Sequence, residues 1–254
     1  MDPCLFRRPK RSVLACHRRA GLGSQGPSPR VAFVLKISCL HSAQSNIAVF
    51  ETARRALKLD RVTLKHRVRS DLLATAEKEG GPSETVLRQT ADELAALAQS
   101  AHGVLLTCST LGPAVRIAAA ELTIPVLRVD RALAEEAVRR GGAVIVLCAV
   151  GTTIAPTRAV FEEAAMTAGT GADVEVRLIP GAWDLFKAGR QDDYWQTIAD
   201  AADTAAAEGA AAVALAQASM AGAAALARHP PLTSPGAGLA AMVARAQAAA
   251  EKSS

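Results

Sequence analysis

A chain of 254 residues, half of them apolar and only 3% aromatic, can bury one large core or two smaller ones but offers few platforms for stacking bases. The net charge of +5 is a property of one end: residues 1–30 hold seven Lys/Arg against a single acid, Asp2, and the remainder holds 22 basic and 23 acidic residues. Neither a nucleic-acid face nor a membrane span is expected, since no apolar run approaches the ~18 residues that cross a bilayer.

Residues 1–30, rich in Arg, Gly, Pro and Ser, read as a disordered basic tail without the unbroken apolar core of a secretory signal; an organelle transit peptide fits them too. Gly21, Gly23 and Gly26 satisfy G-x-G-x-x-G, yet no strand precedes them and no helix follows, so no dinucleotide site is expected. The five cysteines, Cys4, Cys16, Cys39, Cys108 and Cys148, contain no C-x-x-C pair. That gives neither a zinc pattern nor a disulfide framework and points to a reducing cytoplasm.

From residue 31 apolar strand-like runs alternate with Ala-rich helical segments, the pattern of parallel α/β units. The first strand ends at the turn from His41 and Ser42 to Asn46. The strand "GVLLT" ends at Cys108, Ser109 and Thr110, before a helix in which Pro113 is tolerable only in the first turn. Asp130 reads as the N-cap of a helix from 131. The strand "AVIVLCAV" encloses Cys148 among core residues and leads to Thr152, Thr153 and Thr157; "VALA" leads to Gln217, Ala218 and Ser219.

The chain also repeats itself. Residues 31–53 match 144–164, sharing Ala-Val-Phe-Glu at 48–51 and 159–162, and the segment from Val104 matches that from Val213. Two matches in order imply a duplicated pair of lobes: 31–140 with 232–254 as lobe one, and 141–231 as lobe two. Ligands of such sheets bind beyond the carboxyl ends of the strands, so a site is expected in the cleft between the lobes.

At those ends Cys108 is the candidate reactive group, because a thiol at a helix N-terminus gains thiolate character and can act as base or nucleophile; the alternative is a small buried hydrophobe. Cys39 reads as packing. His41 could orient or protonate a ligand, or be a hydrogen-bonded turn residue. Ser42, Asn46, Ser109, Thr110, Thr152, Thr153, Thr157 and Ser219 would form a cationless site for a carboxylate, or simply cap helices.

With these residues the stretch 31–254 resembles the aspartate/glutamate/hydantoin racemase superfamily, which includes arylmalonate decarboxylase and maleate isomerase. Cys108-Ser109-Thr110 is similar to its first cysteine motif, His41-Ser42 to its N-terminal turn, and Thr152-Thr153 to the turn opening its second lobe. The resemblance implies an α/β fold of two pseudo-symmetric Rossmann-like lobes with parallel sheets. It implies no cofactor and no metal, a small carboxylate substrate and the option of a homodimer. Gln217 stands where the second thiol is usual, with Ala218 and Ser219 after it. An amide cannot return a proton to the opposite face of an α-carbon, though it can hydrogen-bond a carboxylate or enediolate oxygen. Three functions stay open: a racemase-type isomerase with Cys108 as acid/base, a single-thiol decarboxylase, and a non-catalytic carboxylate-binding protein.

Overall fold

The computed structural model describes residues 34–252; the basic tail expected at 1–30 lies outside the described residues. The first half runs β1 (Leu35–His41), α1 (Asn46–Ala56), β2 (Val62–Val68), α2 (Ser70–Lys78), α3 (Glu84–Ala98), β3 (Gly103–Leu106), α4 (Ala114–Glu121), β4 (Val126–Arg128) and α5 (Val129–Val138). The second runs β5 (Gly142–Cys148), α6 (Ile154–Ala168), β6 (Ala172–Leu178), α7 (Ala182–Lys187), α8 (Gln191–Ala207), β7 (Ala212–Leu215), β8 (Leu232–Thr233) and α9 (Ser234–Lys252). Among the described residues no helix is long and apolar enough to cross a membrane.

The strands form two four-stranded sheets, ordered β2-β1-β3-β4 and β6-β5-β7-β8, with every pairing parallel. Parallel sheets need both faces covered, which is why the central strands read as continuous apolar runs. Ile37 and Cys39 of β1 pack against Phe50 of α1 and Leu239 and Met242 of α9. Leu40, Val104 and Leu106 pack on the opposite side against Leu72, Leu94 and Ala118. In the second sheet Val144, Val146 and Cys148 meet Leu133 and Phe161, whereas Ile145, Leu147 and Leu215 meet Tyr194 and Ile198. Local signals set the ends: the Ser83 hydroxyl accepts from Val86 N at the start of α3, and α6 stops at Gly169, whose φ of 61° suits glycine.

Duplication is visible in single hydrogen bonds. Thr107 N donates to Leu40 O at 3.0 Å just as Ala216 N donates to Leu147 O at 3.0 Å, and Arg69 N to His41 O matches Ile179 N to Cys148 O, both 2.8 Å. His41 and Cys148 therefore occupy equivalent strand ends, and Cys108 and Gln217 each follow an equivalent residue.

The lobes exchange helices. After β4 of the first sheet, α5 packs on the second against α6; after β8 of the second, α9 packs on the first against α1 and β3. Each fourth strand stays in its own sheet while the apolar stripe of the next helix is buried against the other. At the crossing, a Cβ on Gly238 would lie 2.6 Å from Val129 Cγ2, so only glycine admits this approach.

Candidate active site

Cys108 lies one residue beyond Thr107 at the end of β3. It is 7% exposed and packs with Leu40, Val104, Leu106 and Leu111. The helix expected to begin at this thiol starts only at Ala114. A turn intervenes, closed by Gly112 N donating to Ser109 O and Ala114 N to Leu111 O, because the residue before Pro113 resists helical geometry. Cys108 is consequently held by a loop, with Ser109 and Thr110 exposed beside it.

That loop carries a brace the sequence reading did not foresee. Arg128, at the end of β4, donates to Ser109 O at 3.4 Å and forks onto Asp130 through Nε (2.7 Å) and Nη2 (2.6 Å). Its guanidinium lies so close to Gly112 that an added Cβ would overlap it. Asp130 is not the N-cap of α5 but a first-turn residue, occupied by this ion pair and by Arg131 N. A cation therefore borders the Cys108 turn, already neutralised by its carboxylate partner.

His41 is the last residue of β1 and 1% exposed, not a turn residue. Its Nδ1 contacts Thr107 Oγ1 at 2.8 Å and its Nε2 contacts His66 Nδ1 at 2.8 Å; His66 Nε2 lies 3.3 Å from Glu51 Oε1. Burial, then the neighbouring His66, pushes the His41 imidazole down to about 4. Burial would raise Glu51, but Arg54 and His66 outweigh it and hold the carboxyl below its ordinary range. Cys39, fully buried alongside, is pushed up to about 12 by burial and by Glu51. Alternation along β3 sends Thr107 to the His41 side and Cys108 to the other, and no hydrogen bond joins His41 to Cys108 among the described residues.

In lobe two the Gln217 side chain is fixed. Its Oε1 accepts from Ala149 N at 2.8 Å and its Nε2 donates to Thr153 Oγ1 at 2.8 Å; Thr153 in turn donates to Val150 O at 2.6 Å. Cys148, whose Sγ donates toward Thr157 Oγ1 at 3.9 Å, belongs to the same group. Burial raises this thiol, against the hydrogen bonds of Thr153, Thr157 and Gln217. Ser219 is spent elsewhere, its hydroxyl on the Tyr194 hydroxyl at 2.9 Å and its carbonyl on Trp195 Nε1 at 3.0 Å. Trp195 lies against Gly222 inside lobe two, and Trp183 stacks on Phe186.

The residues after Gln217 form a 3-10 segment, Ala218–Ala225, packed against α1 and α9, with Ala218 touching the Phe50 and Leu239 side of lobe one. The strand-end segment of lobe two thus meets the helix that opens from the His41–Asn46 turn. Of the sequence-derived group, the side chains of Ser42, Asn46, Ser109, Thr110 and Thr152 make no hydrogen bond among the described residues, whereas Thr153, Gln217 and Ser219 are internally satisfied. The first five are half-buried or exposed.

Arg128, Thr107, His66 and Glu51 stand beside these groups without having been singled out in the sequence, whereas Cys148 packs in the core as it read.

The model of the Asp/Glu/hydantoin racemase family matches residues 42–243. No curated protein matches. Among solved structures, an aspartate racemase from Picrophilus torridus is 11% identical with a TM-score of 0.61, covering 84% of this chain and 94% of that one. An allantoin racemase from Pseudomonas fluorescens is 14% identical with a TM-score of 0.57, covering 84% and 92%. A glutamate racemase isoform from Bacillus anthracis is 14% identical with a TM-score of 0.58, covering 85% and 83%. At these identities the structures share the two-lobed parallel fold, and the family match extends over most of the lobes, so the chain belongs to the Asp/Glu/hydantoin racemase family.

Proposed function

We propose that this racemase-family enzyme acts without a cofactor on a small amino acid or related carboxylic acid, with Cys108 as the acid/base at the α-carbon. The supporting observation is the placement of Cys108 at the end of β3 beside Ser109 and Thr110, whose side chains make no hydrogen bond among the described residues. Ser42, Asn46 and Thr152 add further uncommitted donors at equivalent strand ends and suit a carboxylate that must be held while its α-proton moves. The names of the similar structures, racemases of allantoin, aspartate and glutamate, suggest the panel to try first.

A thiolate at 108 removes the α-proton, and the neighbouring hydroxyls and amides stabilise the enediolate. The return proton is the asymmetric step. Gln217, equivalent in position to Cys108, cannot supply it, and its amide is occupied by Ala149 and Thr153. This observation favours a second reading, a decarboxylase in which Cys108 protonates one face only.

Incubation in D2O with a panel of amino acids, hydantoin-type compounds and arylmalonates separates the readings. Racemisation with Cys108-dependent deuterium uptake supports the first, and a single-handed decarboxylation product supports the second. Neither exchange nor turnover across the panel would leave only a carboxylate-binding role.

A further inference from the structure

Cys39 and His41 are two residues apart on β1, so both side chains leave the same face, and His66 is the register partner of Cys39 on β2. One ligand atom from each lies within 4.8 Å of the others. The hydrogen inventory at this point is unusual. Thr107 Oγ1 has a single proton and two acceptors within reach, Leu40 O at 3.1 Å and His41 Nδ1 at 2.8 Å. With that proton on Leu40 O, His41 carries its own on Nδ1 and leaves Nε2 bare; with it on His41 Nδ1, Nε2 carries the proton and donates to His66. At the other end the Glu51 carboxylate can only accept, so His66 carries a proton on Nε2, and a neutral His66 leaves Nδ1 bare. In the first arrangement two bare nitrogens face each other at 2.8 Å. That arrangement suits a cation held between the two lone pairs, and the Cys39 thiol converges on the same place.

We propose that Cys39 Sγ, His41 Nε2 and His66 Nδ1 form a binding site for one zinc-type metal ion. A borderline-soft divalent ion takes this mixed sulfur and nitrogen set, and the thiol gives up its proton on binding. Thr107 and Glu51 are the outer partners that metal-ligating imidazoles need, each holding the remote ring nitrogen and so fixing the tautomer that points a lone pair inward. With Zn–N bonds of about 2.0–2.1 Å, two tetrahedral nitrogens stand about 3.3 Å apart, so the imidazoles part by roughly half an ångström when the ion enters. Entry is from the His66 side: its side chain is 12% exposed and that of Glu51 28%, whereas Cys39 is 0% and His41 1% exposed. The ion would tie β1 to β2 on the α1 side of the first sheet, opposite the face on which Cys108 packs. The site is independent of which reaction Cys108 performs.

The test uses the full chain, stripped with a chelator and titrated with Zn2+ against a chromophoric competitor, and with Co2+ followed by absorbance. One ion per chain is expected, with a thiolate-to-cobalt charge-transfer band. The band should survive Cys108→Ser and vanish in Cys39→Ser. Because Cys39 and His41 are buried and their variants may unfold, the half-exposed positions carry the decision. His66→Ala should abolish binding at the site, and Glu51→Gln should weaken Zn2+ about 10- to 100-fold while keeping the band. Absence of a thiolate band in the wild-type chain overturns the proposal and leaves a proton shared by His41 and His66. Zn2+ affinity unchanged in His66→Ala overturns it equally.

Discussion

Replacing Gln217 by Ala tests whether the amide at the second-thiol position is a structural clamp. Its orientation is unambiguous: Ala149 N–H can only donate, so the atom facing it is Oε1, and Thr153 has spent its proton on Val150 O, so it accepts from Nε2. In Gln217→Ala the Ala149 amide loses its acceptor where the residue is only 3% exposed, at a cost of about 1–3 kcal/mol for an unsatisfied buried donor. Thr153 loses an ordinary bond worth about 0.5–1.5 kcal/mol, and because it is half-buried, water recovers part of that. The expected loss is about 2–3 kcal/mol, summing the larger first contribution with a reduced second. Gln217→Glu still accepts from Ala149 and forfeits only the bond to Thr153, so its loss should be near 1 kcal/mol. Urea unfolding, followed in parallel by circular dichroism and fluorescence, measures both variants. The reasoning is refuted if Gln217→Ala falls within about 0.5 kcal/mol of wild type, or if Glu proves worse than Ala.

Three further outcomes follow from the packing around the thiols and the helix crossing. Gly112→Ala displaces the Arg128 guanidinium, a flexible end that can give way, and loosens its fork to the largely buried Asp130, so stability should fall by about 1–3 kcal/mol. Iodoacetamide labelling of Cys108 should nevertheless speed up several-fold as its loop loses the brace, and an unchanged rate would dissociate Arg128 from the loop. Gly238→Ala forces a methyl onto Val129 Cγ2, a β-branched core group, at a cost of about 1–3 kcal/mol against about 1 kcal/mol gained in helix propensity. A net loss relieved by Val129→Ala in the double variant is expected, and a stabilised single variant would contradict the close approach. Among Cys39, Cys108 and Cys148, native-state alkylation near pH 8 should reach Cys108 first, since burial holds the Cys39 and Cys148 thiols protonated and out of reach. Peptide mapping that finds Cys39 or Cys148 modified earlier would reverse that order.

The architecture was legible because parallel sheets write themselves as unbroken apolar runs: "GVLL" and "VIVLC" are the central strands β3 and β5 almost to the residue. Duplication was legible from Ala-Val-Phe-Glu, which matches α1 to α6. It was misleading for the strands, however. Phe50 corresponds to Phe161 at an offset of 111, whereas Leu40 corresponds to Leu147 at 107, because lobe two inserts four residues, including the 3-10 turn Gly151–Thr153, before its helix. That slip hid the equivalence of His41 and Cys148, and Cys148 read as one more core residue. The cluster of Cys39, His41 and His66 was illegible for a different reason: it exists only through the register of β1 on β2, which no local pattern specifies. The return of α9 to lobe one was legible in the segment 232–254, whereas the packing of α5 on the second sheet depends on which sheet offers it an apolar face, a choice made in three dimensions.

The equivalences explain why the two halves cannot share one chemical task. Position 108 in lobe one carries a thiol on a loop flanked by free hydroxyls; its counterpart in lobe two carries an amide closed onto Ala149 and Thr153. Position 41 carries an imidazole at the end of β1; its counterpart, Cys148, carries a thiol directed at Thr157. Each lobe therefore keeps one sulfur at a strand end, but at different strands, so the sulfurs are not related by the pseudo-symmetry that a two-thiol mechanism would use. Moving a thiol from the β7 end to the β5 end also turns it from a loop position into a fully buried strand position, where it packs with Val146 and Phe161. Among the described residues, then, the duplicated fold retains its frame while lobe one alone sets a strand-end loop thiol beside hydroxyls that make no hydrogen bond, and residue 217 of lobe two offers an amide already occupied by Ala149 and Thr153.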